Sequence, residues 1–136
     1  MKRFTAAKAI IIYQGKVLIL QDAVRGLWGL PGGRAQKDES LQETLIREVR
    51  EETGLTVAPP SQPFEKITWQ ARIGGEDCTV EGSVYICEVE TSKVTLCDEN
   101  KSYAWIVPEE DNYPLFDEIT DALSDYLESV RQKAPS

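Results

Sequence analysis

Acidic side chains are concentrated in one stretch of the chain, at a spacing that can support metal chemistry. Glu48, Glu51 and Glu52 follow Arg47 at the spacing of helical turns. Carboxylates held this close disfavour one another's charge unless a cation neutralises them. Because all-oxygen ligation suits hard cations, the spacing predicts a divalent-metal site for Mg²⁺ or Mn²⁺.

Helix-start and helix-stop residues frame this acidic stretch. Ser40 and Glu43 have the spacing of a capping box, and Gly54 supplies the stop. Apolar residues at helical spacing predict that one face of the helix is buried. The members of that face are Leu41, Leu45, Ile46 and Val49.

Glu52 is predicted to project into that apolar face rather than away from it. An unpaired buried carboxylate is costly, so this placement favours a bound cation. The alternative is a surface helix with ordinary ion pairs, of which Arg47 with Glu51 would be one. That alternative explains neither the position of Glu52 nor the Pro-Gly-Gly turn predicted at residues 31–33.

The composition is that of a single globular domain spanning residues 1–136. The chain has 41% hydrophobic and 28% charged residues, which are ordinary values for such a domain. It contains no apolar run long enough for a membrane helix, and no apolar segment follows the charged N-terminus as a signal peptide requires. We therefore expect a cytoplasmic protein that does not associate with membranes.

Histidine and cysteine usage narrows the chemistry further. The chain has no histidine, which excludes Ser-His-Asp and Cys-His catalysis and leaves base catalysis to carboxylates or metal-activated water. The three cysteines lack metal-binding spacing, so free thiols in a reducing compartment are favoured over a zinc or redox site. They are Cys78, Cys87 and Cys97, and Cys87 is expected in the core.

The net charge of −8 argues against nucleic-acid polymers as partners, because these are bound largely through Lys and Arg. It does not argue against a small phosphate-bearing substrate. An acidic pocket loaded with metal ions becomes a receptor for phosphate.

The rest of the chain is predicted to form strands and one further helix. Strands are expected at residues 9–14, 17–20, 65–73, 78–89 and 103–107, with a short extended piece at 27–30. Gly74-Gly75 suits a hairpin turn. A C-terminal amphipathic helix is indicated by the apolar residues Leu115, Phe116, Ile119, Leu123, Tyr126, Leu127 and Val130.

The segment from Gly33 to Leu55 fits the pattern G-x5-E-x7-R-E-U-x-E-E-x-G-U, in which U is a bulky aliphatic residue. At every defined position it resembles the signature of the Nudix hydrolases. The resemblance implies the α/β Nudix fold, an α/β/α sandwich whose mixed β-sheet is flanked by the motif helix and a C-terminal helix. It also implies metal-dependent hydrolysis of nucleoside diphosphates linked to another moiety.

The resemblance also assigns roles within the motif. Glu48, Glu51 and Glu52 would be the core metal ligands, and the carbonyl of Gly32 would complete the site. Arg47 would hold a motif glutamate by an ion pair, and Glu39 would support the site from the loop before the helix.

Three residues outside the motif helix are further candidates. Relatives often place an acidic ligand or base six residues before a Trp, which is where Glu99 stands relative to Trp105. The alternative for Glu99 is a solvated loop residue. Arg25 and Arg34 are candidate phosphate contacts, since guanidinium groups suit phosphate, or else solvated loop charges.

Candidates for stacking on a nucleobase are Trp28, Trp69 and Phe64, although core packing is the commoner fate of such aromatic side chains.

The small single-domain chain most resembles MutT-like members of the family, pyrophosphatases that convert (oxidised) nucleoside triphosphates to monophosphate and pyrophosphate. The alternatives are an ADP-ribose or dinucleoside polyphosphate pyrophosphatase, and a non-catalytic nucleotide-binding module. The partner in each case is a small nucleotide, and the protein is expected to be a monomer or homodimer.

Overall fold

A computed structural model describes residues 2–107 and 117–133, and side chains of the last helix from residue 121 to 130. Seven strands and two helices occur in these ranges. They are β1 (Lys2–Tyr13), β2 (Lys16–Asp22), β3 (Trp28–Gly29), β4 (Gly32–Arg34), α1 (Leu41–Thr53), β5 (Glu65–Ile73), β6 (Glu76–Glu88), β7 (Asn100–Ile106) and α2 (Asp117–Lys133).

The described strands form one mixed sheet, as predicted. Its order is β3-β2-β1-β6-β5, with β4 also paired to β1 and β7 to β2. The long β1 strand lies parallel to β6 and antiparallel to β2 and β4. The hairpin between β5 and β6 turns at Gly74 and Gly75, whose φ values of 60° and 80° are left-handed.

The two helices lie on opposite faces of the sheet, which confirms the predicted α/β/α sandwich. Successive strand residues point to opposite faces. Ala7, Ala9 and Ile11 therefore pack in the cluster that contains Leu45 and Val49 of α1. Ile10 packs on the other side, in the cluster formed by Val17, Ile19, Trp28, Leu30, Val84, Ile106, Ala122 and Leu123.

Helix α1 begins and ends at the residues predicted from the sequence. The Ser40 hydroxyl accepts a hydrogen bond from the Glu43 N–H at 3.1 Å, and the Glu43 carboxylate accepts one from the Ser40 N–H at 3.1 Å. At the other end Gly54 adopts φ 77°, and its N–H donates to the Arg50 carbonyl. The capping box and the glycine stop are both confirmed.

The predicted buried face of α1 was wrong at one position. Ile46 is 37% exposed, whereas Thr44 is buried. The Thr44 hydroxyl lies 2.7 Å from a Glu39 carboxylate oxygen and 2.9 Å from the Ser40 carbonyl oxygen, and either accepts its single proton, so its burial leaves no unpaired donor. Leu41 is only partly buried, at the rim of the cluster.

The predicted turn at residues 31–33 was also wrong in part, because Gly32–Arg34 form a strand that pairs with β1. A Cβ atom on Gly32 would overlap the Ala7 carbonyl oxygen, so glycine permits this close approach. Strands β1 and β7 begin earlier than predicted, at Lys2 and Asn100. The N-terminal end of β1 is extended because it pairs with β6 along its whole length.

The predicted C-terminal helix is present as α2, although Leu115 and Phe116 lie outside the described residues, as does the side chain of Ile119. Leu123 is buried and Tyr126 packs against the same cluster. Of the predicted stripe, Val130 is 45% exposed, so the buried face ends before it. Neither helix in the described ranges is long and apolar enough to cross a membrane.

We expect Ser40→Ala to lower the free energy of unfolding by about 1 kcal/mol, because it removes the acceptor for an otherwise unpaired N–H group. Ser40→Gly should cost only a few tenths of a kcal/mol, since the exposed N–H groups regain water. Urea denaturation of the two variants and the parent tests this. Equal losses for alanine and glycine would contradict the capping role.

Candidate metal centre

Helix α1, strand β4 and the turn before β7 enclose a cavity of about 730 Å³. We call it the carboxylate cavity, because Glu48, Glu51, Glu52, Asp98 and Glu99 all line it. Gly32 and Gly33 form its β4 side. The structure thus brings together the predicted ligands of the motif helix and the predicted acidic residue outside it.

Arg47 lies in the wall of this cavity with its guanidinium group already occupied. Its Nε and Nη2 donate to the two carboxylate oxygens of Glu39 at 2.8 and 3.0 Å. Its Nη1 donates to Glu48 Oε1 at 2.9 Å and reaches Glu51 only at 3.5 Å. The two hydrogen bonds to Glu39 form a fork and are the strongest of these contacts. Arg47 is therefore engaged in positioning carboxylates.

Glu39 is the carboxylate most strongly stabilised in its charged form. Hydrogen bonds from Arg47 and, to a smaller extent, from the Gln36 N–H and the Thr44 hydroxyl together lower its pKa to about 2. The interaction is reciprocal, because the Glu39 carboxylate raises the pKa of Arg47 above its usual value. Glu39 thus anchors the start of α1 to its second turn.

Glu52 has the opposite environment. Burial raises its pKa to about 7, against the opposing effects of the Lys8 charge and of a hydrogen bond from the Gly32 N–H at 2.8 Å. Within the described part of the chain it forms no ion pair. The predicted placement of a carboxylate toward the core is therefore confirmed, and its charge is not compensated by a contacting cation.

The residues present fit a hard divalent cation. The donors are carboxylate oxygens, and the half-buried Glu52 has no contacting cation in the described part of the chain. Gly33 leaves the space that Glu48 occupies, since a Cβ atom there would lie 2.5 Å from Glu48 Cδ. Among residues 2–107 and 117–133, no three acidic or thiol side chains are already gathered around one point. The donors therefore line the cavity at some distance from one another.

The remaining predicted residues divide between two cavities. Arg34 lines the carboxylate cavity, and its guanidinium carbon lies 5.1 Å from the centre of the Phe4 ring. Glu99 lies in the turn before β7, where its carbonyl accepts from the Ala23 N–H at 3.1 Å. Arg25 does not line the carboxylate cavity with Arg34 but lines a second cavity of about 400 Å³.

This second cavity, which we call the aromatic cavity, adjoins the first. Glu52 and Glu99 line both. The aromatic cavity also contains Trp69, whereas Trp28 is buried at 8% exposure in the core. Phe64 packs against the same core cluster as Trp28 and makes an edge contact with Tyr126. Of the three aromatic candidates for stacking, Trp69 is the one that lines either of these two cavities.

Lys8 is a cavity residue that the sequence analysis missed. It lies on β1 and lines the aromatic cavity together with Glu52 and Trp69. The signal was available in the sequence, because Lys8 is the single charged residue in the otherwise apolar run at residues 6–12. A lone lysine in a central strand is unusual unless its charge has a role.

Known proteins resemble this chain both in sequence and in structure. The model of the NUDIX domain matches residues 2–127. The structure of a MutT protein from Methanosarcina mazei Go1 superposes with a TM-score of 0.83 at 26% identity, covering 98% of this chain and 97% of that one.

Curated relatives match over shorter stretches. The CTP pyrophosphohydrolase of Escherichia coli (strain K12) is 41% identical over 59 residues, which are 40% of this chain and 44% of that protein. The uncharacterized Nudix hydrolase YvcI of Bacillus subtilis (strain 168) is 49% identical over 45 residues, or 33% and 28% of the two chains. The matched segments thus span less than half the length of either relative.

The raised pKa of Glu52 predicts an inverse dependence of stability on pH in metal-free protein. Between pH 4.5 and about 7 the folded state holds a proton that the unfolded state has lost, so the free energy of unfolding falls as the pH rises. The amide of Glu52→Gln does not ionise, so this variant avoids the decrease in the free energy of unfolding. At pH 8 it should be more stable than the parent by about 3 kcal/mol. The difference should vanish near pH 4.5.

Urea denaturation in EDTA at both pH values measures this effect. Glu76→Gln, which changes a glutamate that is 61% exposed, is the matched control. A Glu52→Gln protein no more stable than the parent at pH 8 would show that the carboxylate is not destabilised by burial.

Proposed function

The chain belongs to the Nudix family, and from that premise we propose that it is a divalent-metal-dependent pyrophosphohydrolase acting on a small nucleotide. The observation that carries the proposal is the half-buried carboxylate of Glu52, which contacts no cation within the described ranges and lies where the carboxylate cavity meets the aromatic cavity. A cation beside it would compensate a charge that burial otherwise destabilises. A phosphate chain could then span both cavities.

The ligands of the ion would be Glu48, Glu51 and Glu52, joined by Glu99 and the carbonyl of Gly32. Bound Mg²⁺ or Mn²⁺ supplies neutralisation of phosphate charge and activation of water. All five residues line the carboxylate cavity, which supports the assignment. Glu51 is 60% exposed, so it can reorient toward an ion at little cost.

Arg47 is a positioning residue in this mechanism. Its guanidinium group holds Glu48 from one side while Glu39 fixes the guanidinium from the other. Phosphoryl transfer depends mainly on positioning and charge neutralisation, so a carboxylate fixed before the substrate arrives lowers the barrier.

The reaction is the hydrolysis of a phosphoanhydride. The oxygen of a water molecule forms a bond to one phosphorus, the bridging P–O bond breaks, and the leaving phosphate takes up the electron pair. We assign the proton of the water to Glu99, and the assignment is supported because Glu99 lines both cavities and the described ranges contain no ion pair to it.

We further propose a MutT-like reaction in which a nucleoside triphosphate is converted to the monophosphate and pyrophosphate. The similarity to a CTP pyrophosphohydrolase and to a MutT protein supports this choice. The aromatic cavity offers the face of Trp69 to a base, and Arg34 and Arg25 offer guanidinium groups to the phosphates. A cytoplasmic location agrees with the three free cysteines.

Glu52→Gln should lower metal-dependent hydrolysis by at least about a hundredfold, because it removes a negative charge that would hold the cation opposite the developing phosphate charge. The assay follows phosphate or pyrophosphate release from dNTPs, their 8-oxo forms, ADP-ribose, NADH and diadenosine polyphosphates with Mg²⁺ or Mn²⁺. Glu76→Gln is the matched control and should keep parent activity.

The outcomes of this assay separate the alternatives. Near-parent turnover by Glu52→Gln would overturn the metal-site assignment. No release from any nucleotide by well-folded parent protein would overturn the hydrolase assignment and favour a binding role.

A further inference from the structure

Lys8 occupies an exceptional position in the sheet. Its strand neighbours in register are Gly32 of β4 on one side and Val84 of β6 on the other. On the same face of β1, the preceding and following side chains are the buried Ala6 and Ile10. The ammonium group therefore extends from an apolar sheet face rather than from a polar surface.

Among the described residues, the ammonium group has no direct partner. Within the described ranges Lys8 forms neither an ion pair nor a side-chain hydrogen bond, although its charge acts on Glu52 from a distance. A partly buried cation without a direct partner is costly, and proteins place one where a ligand supplies the counter-charge. Arg47 of the carboxylate cavity differs, since its guanidinium group is held by carboxylates.

Lys8 shares one face of the sheet, and one cavity, with the indole of Trp69. The registers of β1, β5 and β6 place Lys8, Gly82 and Trp69 on one face of the sheet. The Trp69 indole lies against Gly82, where a Cβ atom would approach its Cζ3 to 2.6 Å. Lys8 and Trp69 both line the aromatic cavity, which continues to Glu52.

We propose that Lys8 Nζ binds an oxygen of the substrate phosphate nearest the nucleoside, at the junction of the two cavities. The base then lies against Trp69, and the remaining phosphates extend into the carboxylate cavity. A lysine suits this position because its compact charge contacts a phosphate oxygen from any direction. This inference rests on the proposed function in taking the ligand to be a nucleotide.

A purely structural role for Lys8 makes a different prediction. If Lys8 served only as a distant counter-charge for Glu52, its loss would alter stability and the Mg²⁺ requirement without regard to the ligand. If Lys8 binds phosphate, its loss affects ligands with a 5′-phosphate and spares those without one. The comparison of a nucleoside with its monophosphate therefore isolates the proposed contact.

The test is an NMR titration of parent, Lys8→Met and Lys16→Met proteins in Mg²⁺ buffer. The probes are cytidine, uridine, adenosine and guanosine, each with its 5′-monophosphate. Methionine keeps the apolar stem of Lys8, and Lys16 is an exposed lysine that lines neither cavity. We expect Lys8→Met to weaken monophosphate binding at least tenfold and to leave nucleoside binding unchanged, while Lys16→Met behaves as the parent.

Three outcomes would overturn the proposal. They are an unchanged monophosphate affinity in folded Lys8→Met, a parallel loss for nucleoside and monophosphate, and a parent that does not prefer any monophosphate over its nucleoside. Lys8→Arg, which keeps the charge, should recover most of the preference for monophosphate.

Hydrolysis assays distinguish a failure of the phosphate contact at Lys8 from a failure of the hydrolase assignment. If the parent hydrolyses no nucleotide but loses monophosphate binding on Lys8→Met, the hydrolase assignment fails and the phosphate contact stands. If the parent hydrolyses a nucleotide and Lys8→Met keeps kcat/KM within twofold, the hydrolase assignment stands and the phosphate contact fails.

Discussion

The close approach of β4 to its neighbours on two sides is the constraint on which the site depends. Gly32 lies so near β1 that any side chain would overlap the Ala7 carbonyl, and Gly33 lies so near α1 that a side chain would displace Glu48. Between these contacts the Gly32 N–H is directed at Glu52. Without the two glycines, α1 could not lie close enough to β4 for its carboxylates to share a cavity with the backbone of that strand.

The carboxylates of α1 and its preceding loop are held in opposite electrostatic states. Glu39 receives a forked contact from Arg47 and stays charged even in acid. Glu52 is half-buried, receives one backbone hydrogen bond and contacts no cation among the described residues. Residues 39–52 thus contain carboxylates of two different kinds. The charge of Glu39 is balanced by Arg47 and fixes the geometry, whereas the charge of Glu52 has no such balance and would be stabilised by a cation. Stability is given up at Glu52, which is expected of a residue placed for function.

The features that the sequence predicted correctly are those set by local contacts. Ser40, Glu43 and Gly54 define α1 through bonds within one turn of the helix, so their spacing is sufficient evidence. Glu48, Glu51 and Glu52 share one helix, and their side-chain directions follow from its period. The strands of the Gly74-Gly75 hairpin were predicted for the same reason, since their turn is local.

The features that were missed depend on distant partners. Ile46 is exposed because the face of α1 that packs on the sheet contains Thr44 and not Ile46. The pairing of Gly32–Arg34 with β1 cannot be read from the glycines alone, which equally permit a turn. The role proposed for Lys8 depends on Glu52 of α1 and Trp69 of β5, which line the same cavity. In each case the deciding neighbour is far away in sequence.

The parallel ladder between β1 and β6 also governs how the chain must fold. Its register joins Lys2 to Cys78 and continues to the pair of Ile12 with Glu88. Pairings this distant in sequence carry a large loop-closure entropy and slow folding. During synthesis from the N-terminus, the central strand of the sheet has to wait for β6 to emerge. Until then its apolar run at residues 9–12 has only the adjacent β2 hairpin to cover one edge. This interval is the one in which the nascent chain is most exposed to aggregation and to chaperone binding.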